Sequence, residues 1–469
     1  MSWPKLPLRI SERKALLAFM DLLLVNGATL IALWVWSLRA GRPLTKAFVL
    51  SQAHWFPLFS ALWLLLASLN DFYDLKVAAD PRASSSALLR ISALVLAAYL
   101  LIYFLYPPRR PLPRGIVLYQ AAASFALIGL WRAGYISLLS QPAFRRRAIV
   151  VGAGWAGRTI VRTIRENVAS GYELIGFIDD DPAKQGQTIE GLPVLGTRRD
   201  LASLVRARGV SQIILAITHG VHQELFRALM DCHEQGIQIT PMPLLYEEIT
   251  GKVPVQHIGD SWPAALPLNH ASTGSLFSVF KRAMDVIVSL IGLAVLAVLL
   301  PFVALAIYID SPGPIFYVQE RVGKGGRPYR LMKLRTMVPD AERDGRAVWA
   351  RERDARATRV GRFLRATHID ELPQFINVLR GEMSVVGPRP ERPEFVAELE
   401  KRIPFYRLRH AVRPGMAGWA LVKHGYGSSV EDALIKLEYD LYYIKHQSFY
   451  LDLLILLKTI GDMLSFGGR

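Results

Sequence analysis

Lys281–Ile309 reads KRAMDVIVSLIGLAVLAVLLPFVALAIYI, and the way this run meets a bilayer decides the fold of the region downstream of it. From Ala283 onward it is apolar apart from Asp285. It is longer than the ~20 residues a spanning helix needs. Two features favour a helix that dips into the bilayer and returns. Pro301 lies inside the run, where proline removes a backbone hydrogen bond and kinks or breaks a helix. Cations also flank the run on both sides: Lys281 and Arg282 before it, then Arg321, Lys324, Arg327 and Arg330 after it. A span would carry one cluster to the wrong face. It would also part the α/β region upstream from the arginine-rich region downstream. The expectation is a re-entrant helix over 279–309, bent near Pro301.

Upstream lie four more apolar segments, Ala15–Trp36, Ala53–Leu69, Ala87–Tyr106 and Ile116–Leu139, the second being the shortest. Polar loops part them, the third being Pro107-Pro108-Arg109-Arg110-Pro111. No small-residue cleavage site follows the first run, which is therefore expected to stay as an anchor. With the N-terminus inside, Lys5, Arg9, Arg13, Lys14, Lys76, Arg82, Arg90 and Arg145–Arg147 lie inside. Arg39, Arg42, Lys46, Arg109, Arg110 and Arg114 lie outside, so both ends of the bundle are expected to face the cytoplasm.

From Arg147 strands and helices alternate. Strands are expected at Ala148–Gly152, Tyr172–Ile178, Gln212–Ile217 and Ile237–Thr240. Helices are expected at Ala156–Val168, Leu201–Ala207 and His222–Gln235. Pro, Gly and Ser punctuate Pro241–Ser275, which reads as a linker. After the apolar run, Pro314–Val322 and Pro328–Met337 form a hairpin joined by Gly323-Lys324-Gly325-Gly326. Helices follow near Arg356–Thr367 and Glu371–Arg380, the second stopped by Gly381. Phe449–Phe466, broken by Asp452, Lys458 and Asp462, reads as an interfacial helix. The fold class is a multidomain membrane protein. It comprises a four-helix transmembrane bundle (1–143), a Rossmann-like α/β domain (144–245), a linker (246–275) and an α+β catalytic domain with the re-entrant helix (276–469).

Composition narrows the function. The chain has 469 residues, a formal net charge of +17, ten His and one Cys. Its mean hydropathy is +0.25. A soluble nucleic-acid binder can be this basic but lacks the apolar runs, so no nucleic-acid partner is expected. A basic membrane protein keeps its cations near anionic lipids or substrates. The lone Cys232 excludes an internal disulfide and a Cys-based zinc site, and the histidines form no HxxxH or HExxH array.

Gly152-Ala153-Gly154-Trp155-Ala156-Gly157 follows an expected strand and opens a helix, and Asp179 ends the next strand at the offset of a ribose contact. Gly152, Gly154, Gly157 and Asp179 thus form a candidate nucleotide site. The alternative is a Rossmann-like domain kept for structure or regulation. Thr367-His368-Ile369-Asp370-Glu371-Leu372-Pro373-Gln374 sets two acids among Arg359, Arg362, Arg365, Arg380, Arg389 and Arg392. Capping is the plain role of such an Asp. The positive helix end and the arginines are also expected to lower its pKa and leave a carboxylate able to attack phosphorus. Gly387-Pro388-Arg389-Pro390 holds one Arg in a rigid turn suited to bidentate phosphate contact. Lys333 and Arg335 alternate along a strand, and Arg365 lies shortly before Asp370. Each could face phosphates, solvent or lipid headgroups.

The series Gln319–Gly323, Lys333–Met337, Asp370–Gln374, Asn377–Gly381, Val386–Pro390 and Val412–Gly415 resembles the bacterial polyprenyl-phosphate glycosyl-1-phosphate transferases, the monotopic phosphoglycosyl transferases. The likeness covers about Phe277–Phe466. The bundle and α/β domain are similar to the large subgroup, which starts exopolysaccharide, capsule or O-antigen repeats. The resemblance implies that Asp370 attacks the β-phosphate of a UDP-sugar, with UDP-glucose and UDP-galactose first, and expels UMP. Undecaprenyl phosphate then takes the phosphosugar. Glu371 would orient or deprotonate, Mg²⁺ would be held partly by Asp370, and Arg389, Arg335, Arg365, Lys333 and Arg413 would contact phosphate or substrate. A homodimer in the bacterial inner membrane is implied, with both folded domains cytoplasmic. Two departures stand out. Leu300-Pro301 replaces a frequent Ser-Pro. Lys423-His424-Gly425-Tyr426-Gly427 stands where many members carry Asn-Gly-Arg.

Two other classes compete. A sugar-nucleotide dehydratase or epimerase needs a Tyr-x-x-x-Lys pair. The one present, Tyr329/Lys333, falls on an expected strand, which would part the side chains by about 13 Å. A non-enzymatic scaffold of polysaccharide assembly would tolerate loss of Asp370.

Overall fold

The computed structural model describes residues 10–41, 43–105, 114–139, 145–167, 171–217, 222–255, 275–339, 341, 354, 356–425, 427 and 429–464. The Pro107–Pro111 loop and residues 256–274 of the linker lie outside them. The chain forms two compact units, Met1–Ile249 and Thr250–Arg469.

In the first unit the apolar segments become helices Ile10–Arg39, Trp55–Leu69, Pro81–Leu105 and Arg114–Leu139. Three are long and apolar enough to cross a membrane, whereas Trp55–Leu69, at 15 residues, is shorter. Asp74 and Thr45 cap the short connecting helices Leu75–Ala79 and Lys46–Ser51 by accepting backbone N–H bonds. The bundle interior holds an ion pair that the hydropathy pattern does not reveal. Arg132 donates to Asp21 Oδ2 at 2.9 Å, with the two side chains 3% and 0% exposed. The guanidinium lies 3.9 Å from the Phe72 ring centroid, and Trp63 donates to the same carboxylate oxygen at 3.5 Å. Charges so placed persist only when paired.

The α/β sheet has the order β3-β4-β2-β1-β5-β6. Its strands are β1 (Arg146–Val151), β2 (Tyr172–Ile178), β3 (Thr188–Ile189), β4 (Leu192–Gly196), β5 (Gln212–Leu215) and β6 (Gln238–Pro241). All neighbours are parallel except β3 and β4. Alternation along β1 splits the core. Ala148 and Val150 pack with Ile160, Ile214 and the membrane-helix residues Ile10, Leu17 and Tyr135. Ile149 and Val151 pack with Leu201, Val205, Leu225 and Leu229 on the other face. Two features were not foreseen. The β3–β4 hairpin adds a strand beside β2. The helix Met242–Thr250 occupies the start of the expected linker. Pro243 is tolerated in its first turn, where the N–H has no helical partner, and Met242 and Leu245 are buried.

In the second unit the apolar run forms one helix, Ser275–Asp310, which continues through Pro301. The hairpin β7 (Phe316–Val322) and β8 (Pro328–Leu334) pairs Val322 with Pro328 across the glycine-rich loop. Helices Arg359–Ala366 and Gln374–Arg380 flank the acid pair, and Gly381 ends the second at φ +81°. The short parallel strands β9 (Ser384–Val386) and β10 (Gly415–Ala417) come next. Phe449–Leu464, expected at an interface, turns one face inward. Leu451 and Ile455 join the core, and buried Asp452 accepts from Lys281 Nζ at 2.7 Å.

Replacing Arg132 with Met should strand Asp21 and cost on the order of 3 kcal/mol, read as a lower Tm in detergent. Adding Asp21→Leu should recover much of the loss. A double variant less stable than the single one would contradict the pairing.

Candidate functional site

β8 and the turn Ile369–Glu371 bring the acids to the cations. His368 enters that turn in the left-handed region at φ 55°. Asp370 and Glu371 are 6% and 9% exposed. Glu371 Oε1 accepts from Lys333 Nζ at 2.7 Å and from Arg389 Nη2 at 2.5 Å, and Oε2 accepts from Arg389 Nη1 at 3.4 Å. Arg365 donates its Nε–H to Thr336 Oγ1 at 3.1 Å. Among the described residues no donor bonds to the Asp370 carboxylate.

The supports are tertiary. Asn377 Nδ2 donates to Arg330 O and to Glu382, both at 2.7 Å, while its Oδ1 accepts from Met332 N–H at 3.1 Å. These bonds fasten the helix after the acid pair to β8. Arg282 donates to the carbonyls of Val378 and Leu379, both at 2.7 Å, and so satisfies the last turn of that helix. The Arg389 loop is fixed by glycine packing. A Cβ on Gly415 would lie 2.0 Å from Gly387 N, and one on Gly387 would lie 2.5 Å from Arg413 O.

The acids divide unequally. For Glu371, burial alone would raise the pKa, but Arg389 and Lys333 outweigh it and hold the carboxylate well below its usual range. Asp370 lacks such bonds. Burial pushes it up to about 6, Glu371 adds to the rise, and Lys333, Arg365 and Arg389 offset only part. The expectation of a lowered Asp370 pKa is therefore corrected, because the lowering falls on its neighbour. His368 is held below its usual pKa, chiefly by burial.

Lys333, Arg365, Arg389, Asp370 and Glu371 thus come together. Arg335 and Arg413 do not join them. Arg335, 6% exposed, donates to the carbonyls of Ser311 and Pro312 after the long helix. Arg413 is exposed beside Gly381, at the far end of the helix that follows the acids. The clamping roles of Arg282 and Asn377 were missed, since nothing in their local sequence marks a tertiary clamp. Among the described residues no group of three or more His, Cys, Asp or Glu could hold a metal. One free carboxylate still suits Mg²⁺, which takes one or two carboxylates and completes its shell with water and phosphate oxygens.

In the first unit, Gly152 has φ +102°, and a Cβ on Gly157 would meet Gly152 O at 1.9 Å, so both glycines serve the strand–helix turn. Gly154 is the N-cap residue of the helix Trp155–Glu166. The Asp179 carboxylate accepts from Ala153 N at 2.7 Å, Asp181 N at 3.0 Å and Lys184 Nζ at 3.1 Å. The chain's own donors take the carboxylate expected to meet a ribose.

The family described as bacterial sugar transferase matches residues 276–466, and one described as CoA-binding domain matches residues 68–243. The UDP-N-acetylgalactosamine-undecaprenyl-phosphate N-acetylgalactosaminephosphotransferase of Aeromonas hydrophila is 42% identical over 244 residues, which are 52% of this chain and 56% of that protein. The UDP-glucose:undecaprenyl-phosphate glucose-1-phosphate transferase of Xanthomonas campestris pv. campestris is 31% identical over 353 residues, 71% of this chain and 72% of that one. The UDP-galactose-lipid carrier transferase of Erwinia amylovora is 29% identical over 364 residues, 74% of each. The chain thus spans little more than half of the first relative and over two thirds of the others.

Neighbouring acids should respond oppositely to loss of charge. A raised carboxylate pKa means that ionisation opposes folding above the window from 3.8 to about 6. Asp370→Asn should therefore raise Tm at pH 8. A lowered pKa means that Glu371 stabilises above its unfolded value and loses that contribution as pH falls. Glu371→Gln should lower Tm at pH 8 by leaving Lys333 and Arg389 less well paired. Shifts of the same sign in thermal unfolding would contradict the division.

Proposed function

The chain belongs to the bacterial sugar transferase family of polyprenyl-phosphate glycosyl-1-phosphate transferases, and on that premise we propose how its site carries out the transfer. A sugar-1-phosphate passes from a UDP-sugar to undecaprenyl phosphate, which starts polysaccharide repeat-unit synthesis. The observation that carries this reading is the asymmetric acid pair, one carboxylate bonded by two cations and the other, among the described residues, by none.

An Asp370 oxygen attacks the β-phosphorus. The bond from that phosphorus to the bridging oxygen breaks, and UMP leaves with the electron pair. A phosphosugar is left on the carboxylate. An oxygen of undecaprenyl phosphate then attacks the same phosphorus and frees Asp370. Glu371 orients Lys333 and Arg389 toward the incoming phosphates. It takes no proton, because its lowered pKa makes it a poor base and a lipid phosphate is already anionic. Fixed cations aimed at developing phosphate charge supply most of such catalysis. Mg²⁺, held by Asp370 with substrate oxygens, would neutralise diphosphate charge.

The re-entrant reading of Ser275–Asp310 gains support from contacts at both of its ends. Near the start, Arg282 bonds the carbonyls of Val378 and Leu379. At the end, Asp310 accepts from Val360 N at 2.8 Å, and Ile307 packs with Leu364. A straight helix of 36 residues would be about 54 Å long. A bilayer-spanning course would carry one of these contacts to the opposite face. Both folded domains then face the cytoplasm from the inner membrane.

Glucose and galactose are the first sugars to test. The 42% identity to the Aeromonas hydrophila protein favours N-acetylgalactosamine as a second reading. UMP release should appear with at least one of the three UDP-sugars plus undecaprenyl phosphate, and should vanish in Asp370→Asn or with EDTA. The rate should rise with pH through about 6, since only ionised Asp370 attacks. Full UMP release in Asp370→Asn would place the chemistry at another site, and no release with any UDP-sugar would favour a non-enzymatic scaffold.

A further inference from the structure

Arg409 lies in the turn Tyr406–Ala411, well away in sequence from the acid pair, and is 6% exposed. Its guanidinium has three acceptors: Tyr406 Oη at 2.6 Å, Asp440 Oδ2 at 2.7 Å and the main-chain carbonyl of Arg389 at 2.9 Å. Tyr406 and Asp440 are 2% and 1% exposed. A buried cation needs a counter-charge, and Asp440 supplies it. The bond to Arg389 is not needed for charge balance, so its consequence is local. It grips the main chain of the one residue whose side chain reaches Glu371 from that loop.

The rest of the loop is pinned in the same manner. Gly387 N–H donates to Ala417 O at 2.9 Å, and Gly415 N–H donates to Pro388 O at 2.8 Å. Pro388 and Pro390 restrict the backbone on either side of Arg389. Arg409 adds a main-chain anchor at the carbonyl of Arg389 itself. Arg389 is thus held at both ends, its guanidinium by Glu371 and its main chain by Arg409.

We propose that Arg409 is a positioning residue for phosphosugar transfer, setting where the Arg389 guanidinium meets the substrate diphosphate. This rests on the reading of Asp370 and Arg389 as the reacting site. Preorganised charge is worth most when misplacement is small, and a shift of about 1 Å can cost about 10²-fold in rate. Lysine cannot replace the fork. It keeps the charge beside Asp440 but is a point donor that does not reproduce planar, divergent bonds.

The test is Arg409→Lys in the full-length protein, with Arg389→Ala and the double variant beside it. UMP-release kcat should fall more than tenfold in Arg409→Lys, with KM for the UDP-sugar changing less than threefold. In the Arg389→Ala background the same change should cost nothing further, because its effect passes through Arg389. A purely structural role would add its loss in both backgrounds and overturn the proposal, as would unchanged kcat. Hydrogen–deuterium exchange of the peptide across Gly387–Glu391 gives a readout without turnover. Arg409→Lys should speed exchange there, with Tm within a few degrees of the parent. Unchanged exchange would overturn the proposal even if no UDP-sugar proved active. Tyr406→Phe serves as a second variant should Arg409→Lys not fold, and a smaller change in the same direction is expected. No effect of Tyr406→Phe on exchange or kcat would then count against the proposal.

Discussion

A carboxylate shared by two cations organises the catalytic unit. Glu371 is nearly buried, and it takes both Lys333 and Arg389. In a site of low effective dielectric such a group is costly unless paired, and costly to unpair. Its partners come from distant segments, one on β8 and one in the loop after β9. Fastening them to a single acid fixes the strand, the turn and the loop relative to one another. Among the described residues it also leaves Asp370 as the acid without a bonded cation. The chemical difference between two adjacent side chains is therefore made by the fold.

The membrane segment is tied into the same arrangement. Arg282 satisfies the carbonyls that end the helix after the acids, and Lys281 donates to Val386 O at 3.0 Å, Tyr443 Oη at 3.1 Å and Asp452 at 2.7 Å. Asp285 accepts from Ser384 Oγ at 2.9 Å and Val385 N at 2.8 Å, just before the Arg389 loop. The first turns of the apolar helix thus carry polar groups that hold the backbone between the acid pair and its Arg389 loop. Placement of the long apolar helix and placement of the Arg389 loop are thereby mechanically linked.

Much of this was legible in the sequence where the signal is local. The glycine-rich turn of the hairpin, Gly381 as a helix stop, and the Pro-Arg-Pro turn all depend on backbone chemistry that a short window contains. The acid pair stood out by its contrast with the surrounding arginines. The division of charge within that pair was not legible, because it depends on which cations return from elsewhere in the chain. Lys333 and Arg335 sit two residues apart, at the end of β8 and just beyond it, and looked equivalent. One meets Glu371 and the other closes on the end of the long helix. The buried Arg132–Asp21 pair escaped for a related reason. A hydropathy average registers two charges as noise, although their mutual contact makes them tolerable. The helix Met242–Thr250 was hidden by Pro243, a residue that breaks helices in their interior and opens them in their first turn.

The central claim is that Asp370 forms a covalent bond to the phosphosugar before the lipid acceptor takes part. Intact-protein and peptide mass spectrometry tests it most directly, on enzyme incubated with an active UDP-sugar and Mg²⁺ but no polyprenyl phosphate. A mass increase of one sugar phosphate is expected, mapped to the peptide containing Asp370 and removed on adding undecaprenyl phosphate. UMP release that occurs only with the lipid acceptor present, with no adduct on Asp370 at any time, would contradict it.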